Sequence, residues 1–256
     1  IYSAASGIGV SIGDLFLAGI VPGVLTAILL MFVSWVVAVK RGYAAGIFPG
    51  WREFAKSVAF AIPGLLTAII IMGGILSGVF TATESSAIAV IYTVIIGAFV
   101  YRTMGLKKFA QAAVQSVKIT AMVLMIIGSA TAFGYALAIL EAPTKLAELI
   151  TEITRNPILV LLIVNVILLL LGTFMDMSPL IVITTPILLP VVMEVGVDPV
   201  HFGIIMMLNL GIGLVTPPVG SVLFVGAAVG KIPVEKAVKT IWPFYGALLL
   251  ALMFIT

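Results

Sequence analysis

Apolar residues fall in long runs separated by short polar connections, at 19–39, 61–80, 85–101, 119–140, 157–175, 179–193, 202–215, 219–230 and 241–256. A helix needs about 20 residues to cross a hydrocarbon core about 30 Å thick. Runs 19–39, 61–80 and 119–140 meet that length, whereas 202–215 and 219–230 do not. The last two flank Thr216-Pro217-Pro218, and tandem prolines stop a helix by removing donors and restricting the preceding residue. Two short helices around such a break predict a re-entrant hairpin over 202–230; the alternative is one long kinked helix. Segments 10–18, 50–58, 104–117 and 232–240 are short and mixed, which suits amphipathic helices lying along the membrane interface.

Composition sharpens this pattern. Of 256 residues, 62% are hydrophobic and 9% charged, against roughly a quarter charged in soluble domains. The chain therefore reads as one integral membrane domain over 1–256, all-α and polytopic. Cysteine is absent, which excludes disulfides and thiolate metal sites. The single histidine, His201, cannot build a histidine metal site alone. The net charge of +3 comes from short basic clusters between apolar runs, a pattern that reports membrane orientation rather than nucleic-acid binding. If the connections carrying Lys40–Lys56, Arg102–Lys118 and Lys231–Lys239 are cytoplasmic, only Lys145 and Arg155 of the 13 basic residues lie outside. That arrangement requires 157–194 to cross only once. The chain opens on Ile1 without a basic n-region, so no signal peptide is expected, and a longer parent protein is.

A weak internal repeat supports that expectation. Gly9 to Pro22 and Gly230 to Pro243 share one spacing, with Ile20 falling on Ile241. Before each glycine lies a run of small residues, and after each proline an apolar span begins. Ile1–Ile8 then reads as the second arm of a truncated hairpin equivalent to 202–230. Transporters are often built from two inverted halves, with sites at interrupted helices near the midplane.

Two carboxylates fall within apolar surroundings, Glu84 and Asp176. A charge at membrane depth costs about 2.5–3.5 kcal/mol on insertion scales and needs a partner or a cavity. Glu84 lies among Thr81, Thr83, Ser85 and Ser86; a capped surface turn, with Thr83 or Ser85 as the cap, competes with an unwound cation-holding segment. Asp176 precedes Ser178 and a run punctured by Pro179, Pro186 and Pro190. Asn209 is a further polar group within an apolar run, either an interhelical hydrogen bond or part of a site. The tip Gly213–Ser221 combines glycines for close backbone approach, Pro217 and Pro218 to free carbonyls, and the hydroxyls of Thr216 and Ser221. An enzyme is disfavoured, since Asp176 has no second intramembrane aspartate and His201 follows Asp198-Pro199 at a helix start. Several proline-broken helices favour alternating access over an open channel.

At these motifs the sequence resembles the large membrane subunit of tripartite ATP-independent periplasmic (TRAP) transporters. The resemblance rests on Gly78-Val79-Phe80-Thr81-Ala82-Thr83-Glu84, Gly172-Thr173-Phe174-Met175-Asp176, Asp198-Pro199-Val200-His201-Phe202-Gly203 and Asn209 through Gly220. It spans essentially the whole chain, but only the C-terminal portion of a usual subunit. It implies an inverted-repeat, elevator-type, Na⁺-coupled symporter of the bacterial inner membrane. The cargo would be an organic acid anion such as a C4-dicarboxylate, a sugar acid or sialic acid. A small four-helix membrane subunit and a periplasmic binding protein would be partners, with Na⁺ as coupling ion and no other cofactor. Cation and substrate contacts are expected at Thr81, Thr83, Glu84, Ser85, Asp176, Ser178, Asn209, Gly213, Thr216, Pro217, Pro218 and Ser221. Na⁺ is expected at Thr81, Thr83, Gly213 and Thr216. A binding-protein-independent Na⁺/carboxylate symporter, a channel and a membrane scaffold are the competing readings.

Overall fold

The computed structural model describes residues 1–43, 46, 48–217 and 220–256, which form helices and short connections with no strand among them. They divide into two compact units, 42–122 and the combination of 1–41 with 123–256.

In the unit 42–122, α4 (Trp51–Leu76) packs against α5 (Ala82–Ile95), which runs on into a single π-helical stretch, Ile96–Val100. Gly78 turns the chain with φ +70°, a conformation that favours glycine. Pro63 sits inside α4, and the carbonyls near it draw donors from the second helix. Tyr92 Oη donates to Pro63 O at 2.9 Å and Tyr101 Oη to Phe60 O at 2.8 Å.

The larger unit holds α1 (Tyr2–Ala5), α2 (Ile12–Ala18), α3 (Ile20–Lys40), the later half of α6 (Leu106–Ile139), α7 (Ala142–Ile153), α8 (Pro157–Gly172), α9 (Met177–Glu194), α10 (Pro199–Gly213), α11 (Ser221–Val229) and α12 (Val234–Ile255). Helices α8, α9 and α10 pack on one another, and α12 packs on α3, α10 and α11. The core is aliphatic: Val160, Val164 and Leu168 of α8, Val191 and Val192 of α9, and Phe202, Ile205 and Met206 of α10 are shut from solvent. Tyr2 is also buried and donates to Pro199 O at 2.6 Å. Burial, with Asp198 nearby, pushes its phenol above the ordinary tyrosine range, so it stays a donor.

Six helical stretches among the described residues are long and apolar enough to cross a membrane; α8 and α10 are apolar but shorter. Three of the four short mixed segments are not separate helices. Residues 50–58, 104–117 and 232–240 continue into the following spans as parts of α4, α6 and α12. At each joint the hydropathy changes but the helix continues, in α4 and α12 even through a proline, Pro63 and Pro243. Segment 10–18 does hold a helix of its own, α2, capped by Ser11, whose Oγ accepts from Asp14 N at 3.2 Å.

The run 157–194 doubles back. α8 and α10 run the same way, since Asn209 of α10 bonds Asn165 of α8 and Gly213 further along meets Gly172. Helix α9 returns between them. The break at 214–220 behaves otherwise. Along α12, Ile255 faces His201, Tyr245 faces Val215, and Ala237 packs with Leu223 and Ala227. The chain from α10 to α11 therefore runs one way beside α12, as a single interrupted helix. The sequence-predicted hairpin over 202–230 is thus an interrupted helix in this structure, and the hairpin lies at 157–194. Prolines end a helix, but the direction taken afterwards is set by the neighbour against which the next helix packs.

Candidate functional site

The hairpin tip, residues 173–176, is a tight turn of backbone bonds. Thr173 N donates to Leu169 O, Phe174 N and Met175 N donate to Leu171 O, and Thr173 Oγ1 donates to Leu170 O at 2.7 Å. Asp176 then takes the N-cap position of α9 in extended geometry (ψ 154°) and is exposed, with Ser178 half-buried in the first turn. Helix α9 continues through Pro179, Pro186 and Pro190. Pro179 lies in the first turn, where no N–H is needed, whereas Pro186 and Pro190 sit inside the helix and take the usual donors from Val182 O and Pro186 O without ending it. Thr184 and Thr185 hydroxyls donate to Leu180 O and Ile181 O at 2.7 and 2.5 Å.

The break after α10 is equally ordered. Pro217 cannot donate to Gly213 O, and Thr216 N does so instead at 2.9 Å. Val222 N reaches Leu214 O at 3.2 Å, and Gly220 N reaches Thr216 O at 3.0 Å. Tyr245 Oη donates to Val215 O. Among the described residues the carbonyls of 213–216 thus each accept a hydrogen bond rather than standing bare, and a carbonyl oxygen with one bond keeps a second lone pair. Thr216 Oγ1 donates to Ile212 O at 2.6 Å, which leaves its own lone pairs open. Pro217 is described; Pro218 and the Ser221 side chain lie outside the described residues.

These two breaks meet. A Cβ added to Gly213 would lie 2.8 Å from Gly172 O and 2.9 Å from Gly172 Cα. The last residues of α8 and α10 therefore touch backbone to backbone, and two helix C-termini lie side by side. Each carries a partial negative charge, so their junction favours a cation. Earlier along the same pair, Asn209 Nδ2 donates to Asn165 O and Oδ1 at 3.0 and 2.9 Å. Asn165 Nδ2 donates in turn to Thr256 Oγ1 at 2.8 Å. Both asparagines are buried, and Asn209 Oδ1 accepts no hydrogen bond. Asn209 stands one turn before Gly213 on the same side of α10.

Thr81, Thr83, Glu84 and Ser85 belong to the unit 42–122, where Thr81 and Glu84 form a capping box. Thr81 Oγ1 accepts from Glu84 N at 3.3 Å, and Glu84 Oε2 accepts from Thr81 N and Thr81 Oγ1, each at 2.8 Å. The cap is Thr81, not Thr83 or Ser85, because the helix begins at Ala82, two residues before a Thr83 cap would start it and four before a Ser85 cap. Thr83 Oγ1 lies 3.2 Å from Thr81 Oγ1, and the buried Ser85 Oγ has no hydrogen-bond partner.

Sequence reasoning passed over Asn165 and Tyr245. Asn165 was findable as the one amide inside the apolar run of α8, on the argument applied to Asn209. Tyr245 carries no local signal, since only the fold brings it to Val215. Among the described residues no three His, Cys, Asp or Glu side chains gather to hold a metal. A cation here would have to use carbonyl, hydroxyl and amide oxygens, the hard donors suited to Na⁺.

Apolar spans, a hairpin tip and an interrupted helix meeting at uncharged oxygens define a multi-pass membrane protein. The chain belongs to the family described as tripartite ATP-independent periplasmic transporter, DctM component, whose model matches residues 1–256. It is 44% identical over 247 residues to the isethionate TRAP transporter permease protein DctMQ of Oleidesulfovibrio alaskensis, covering 96% of this chain and 39% of that protein. It is 41% identical over 256 residues to the C4-dicarboxylate TRAP transporter large permease protein DctM of Pseudomonas aeruginosa, covering 100% and 60%. The sialic acid TRAP transporter large permease protein SiaM of Vibrio cholerae is 41% identical over 242 residues, covering 94% and 57%. The chain thus spans three fifths or less of these relatives. The family and the apolar helices make it a multi-pass protein of the bacterial inner membrane.

Proposed function

We propose that this chain forms part of the large permease of a Na⁺-coupled importer for an organic acid anion. The observation that carries the proposal is the backbone contact between Gly172 and Gly213, which sets two helix C-termini together. A Na⁺ at this junction would draw on the carbonyls of the break, the Thr216 hydroxyl and the unused Oδ1 of Asn209. Asp176 follows the hairpin tip and adds a formal negative charge to the neighbourhood. The first turn of α9, with Ser178, offers N–H groups suited to the anionic group of a substrate. The three relatives carry substrates in their names that are organic acids, although of different acid groups, so the cargo class is proposed and its identity is not. A soluble periplasmic binding protein would deliver it, and a small four-helix subunit would brace the permease during elevator-type motion.

The test is uptake into proteoliposomes holding the full-length permease with its small subunit. Uptake should require both an inward Na⁺ gradient and the cognate binding protein. Uptake with Na⁺ alone would make it a binding-protein-independent symporter, and uptake needing neither would make it a channel. Thr216→Ala and Asp176→Ala should each raise the Na⁺ concentration for half-maximal uptake several-fold. Unchanged Na⁺ activation in both would remove the ion from this junction.

A further inference from the structure

We propose that Tyr245 is a positioning residue for the transport site, its hydroxyl holding the break between α10 and α11 in ion-ready geometry; this rests on the Na⁺ reading above. Pro217 and Pro218 deprive Gly213 O and Leu214 O of their usual helical donors, and Thr216 N and Val222 N take those places. Thr216 O keeps the ordinary donor four residues on, Gly220 N. Among the described residues, the donor that reaches Val215 O is a side chain thirty residues away on another helix. Among the described residues, Tyr245 is the one hydrogen bond from outside that reaches these carbonyls.

The tyrosine is built to hold that place. It is 7% exposed and belongs to the main core, and its ring meets Trp242 edge-to-face with centroids 5.6 Å apart. Helix α12 is gripped on either side of it, by Leu223 and Ala227 of α11 against Ala237, and by Leu252 in the main core shared with α10. A rigid ring on a clamped helix fixes the position of its hydroxyl, and so fixes Val215 O. Thr216 follows directly in the chain, its hydroxyl bound to Ile212 O at 2.6 Å. Removing the hydroxyl frees the Val215 carbonyl to turn, and the Thr216 oxygens turn with it. The cost then falls on ion affinity rather than on the turnover of the loaded carrier.

Tyr245→Phe tests this, because it deletes one oxygen and keeps the ring against Trp242. In the full-length transporter with its partners, the Na⁺ concentration for half-maximal uptake should rise about three- to tenfold, with Vmax within twofold of the parent. Independently of transport, hydrogen exchange at the amides of Val215, Thr216, Gly220 and Val222 should quicken at least tenfold, while that at core amides of α8 stays level. A folded variant with parental Na⁺ dependence and parental exchange at those amides overturns the proposal. An equal loss in Vmax with no change in half-saturating Na⁺ also overturns it, since a general packing defect gives that result. Should Tyr245→Phe not reach the membrane, 3-fluorotyrosine at 245 keeps shape and hydroxyl while strengthening the donor. It should slow exchange at the same amides, and no slowing counts against the latch. If the parent transports without Na⁺, the ion reading fails, whereas the exchange comparison still decides whether Tyr245 holds the break.

Discussion

Gly213 and Gly211 lie in the same turn of α10, yet their surroundings differ completely. A Cβ on Gly213 would enter the backbone of Gly172 at 2.8 Å, where no flexible side chain can give way, while one on Gly211 meets nothing within 4 Å. Gly213→Ala should therefore destabilise the protein by about 1–3 kcal/mol or prevent the helices from closing. Gly211→Ala should be neutral or stabilising by about 0.5–1 kcal/mol, as expected for a helix interior. Thermal unfolding in detergent separates the two. Asn209 makes a different prediction. Asn209→Ala removes a donor that serves two buried oxygens of Asn165. A cost of about 1–3 kcal/mol is expected from leaving buried polar groups unmet. Asn209→Asp keeps the shape but has no N–H to give, and should be no better on the same melting assay.

At the scale of the element, three helix breaks were legible in position but not in direction, while the punctures expected along α9 did not form. Gly172 through Asp176, the turn around Glu84 and the interruption that begins at Thr216 all carry local chemistry that ends or starts a helix, although the cap of the second is Thr81 rather than Thr83 or Ser85. The return of α9 beside α8 and the onward run of α11 depend on packing against α10 and α12, which no short stretch encodes. Run length misled as well. At 157–175 and 179–193 the chain has apolar runs that nearly suffice to span, and only contacts such as Gly172 with Gly213 show where they turn. The Thr81 cap belongs to this scale. Thr81→Ala should cost about 1 kcal/mol of the stability of the unit 42–122, and Thr81→Ser should restore most of it. Amide exchange across α5 checks both.

For the whole molecule, the hairpin at 157–194 relieves a strain in the topology read from charge. Basic residues place three connections on the cytoplasmic side only if 157–230 crosses the membrane an odd number of times. A hairpin that enters and returns, followed by one interrupted helix that crosses, meets that condition. The chain has no cysteine, so single cysteines report sidedness without background. Cysteines replacing Lys56, Lys107 or Lys236 should react with a membrane-impermeant maleimide only from the cytoplasmic face, and those replacing Lys145 or Arg155 only from the opposite face. The same accessibility for Lys145 and Lys236 positions would sink this topology.

The meeting of Gly172 with Gly213 also limits how the protein can move. No side chain stands between the two backbones to act as a bearing, so neither can slide over the other without a collision of main-chain atoms. Whatever displacement carries cargo from one face to the other, the hairpin and the interrupted helix must make the journey as one body, and the joints that flex must be sought elsewhere in the chain.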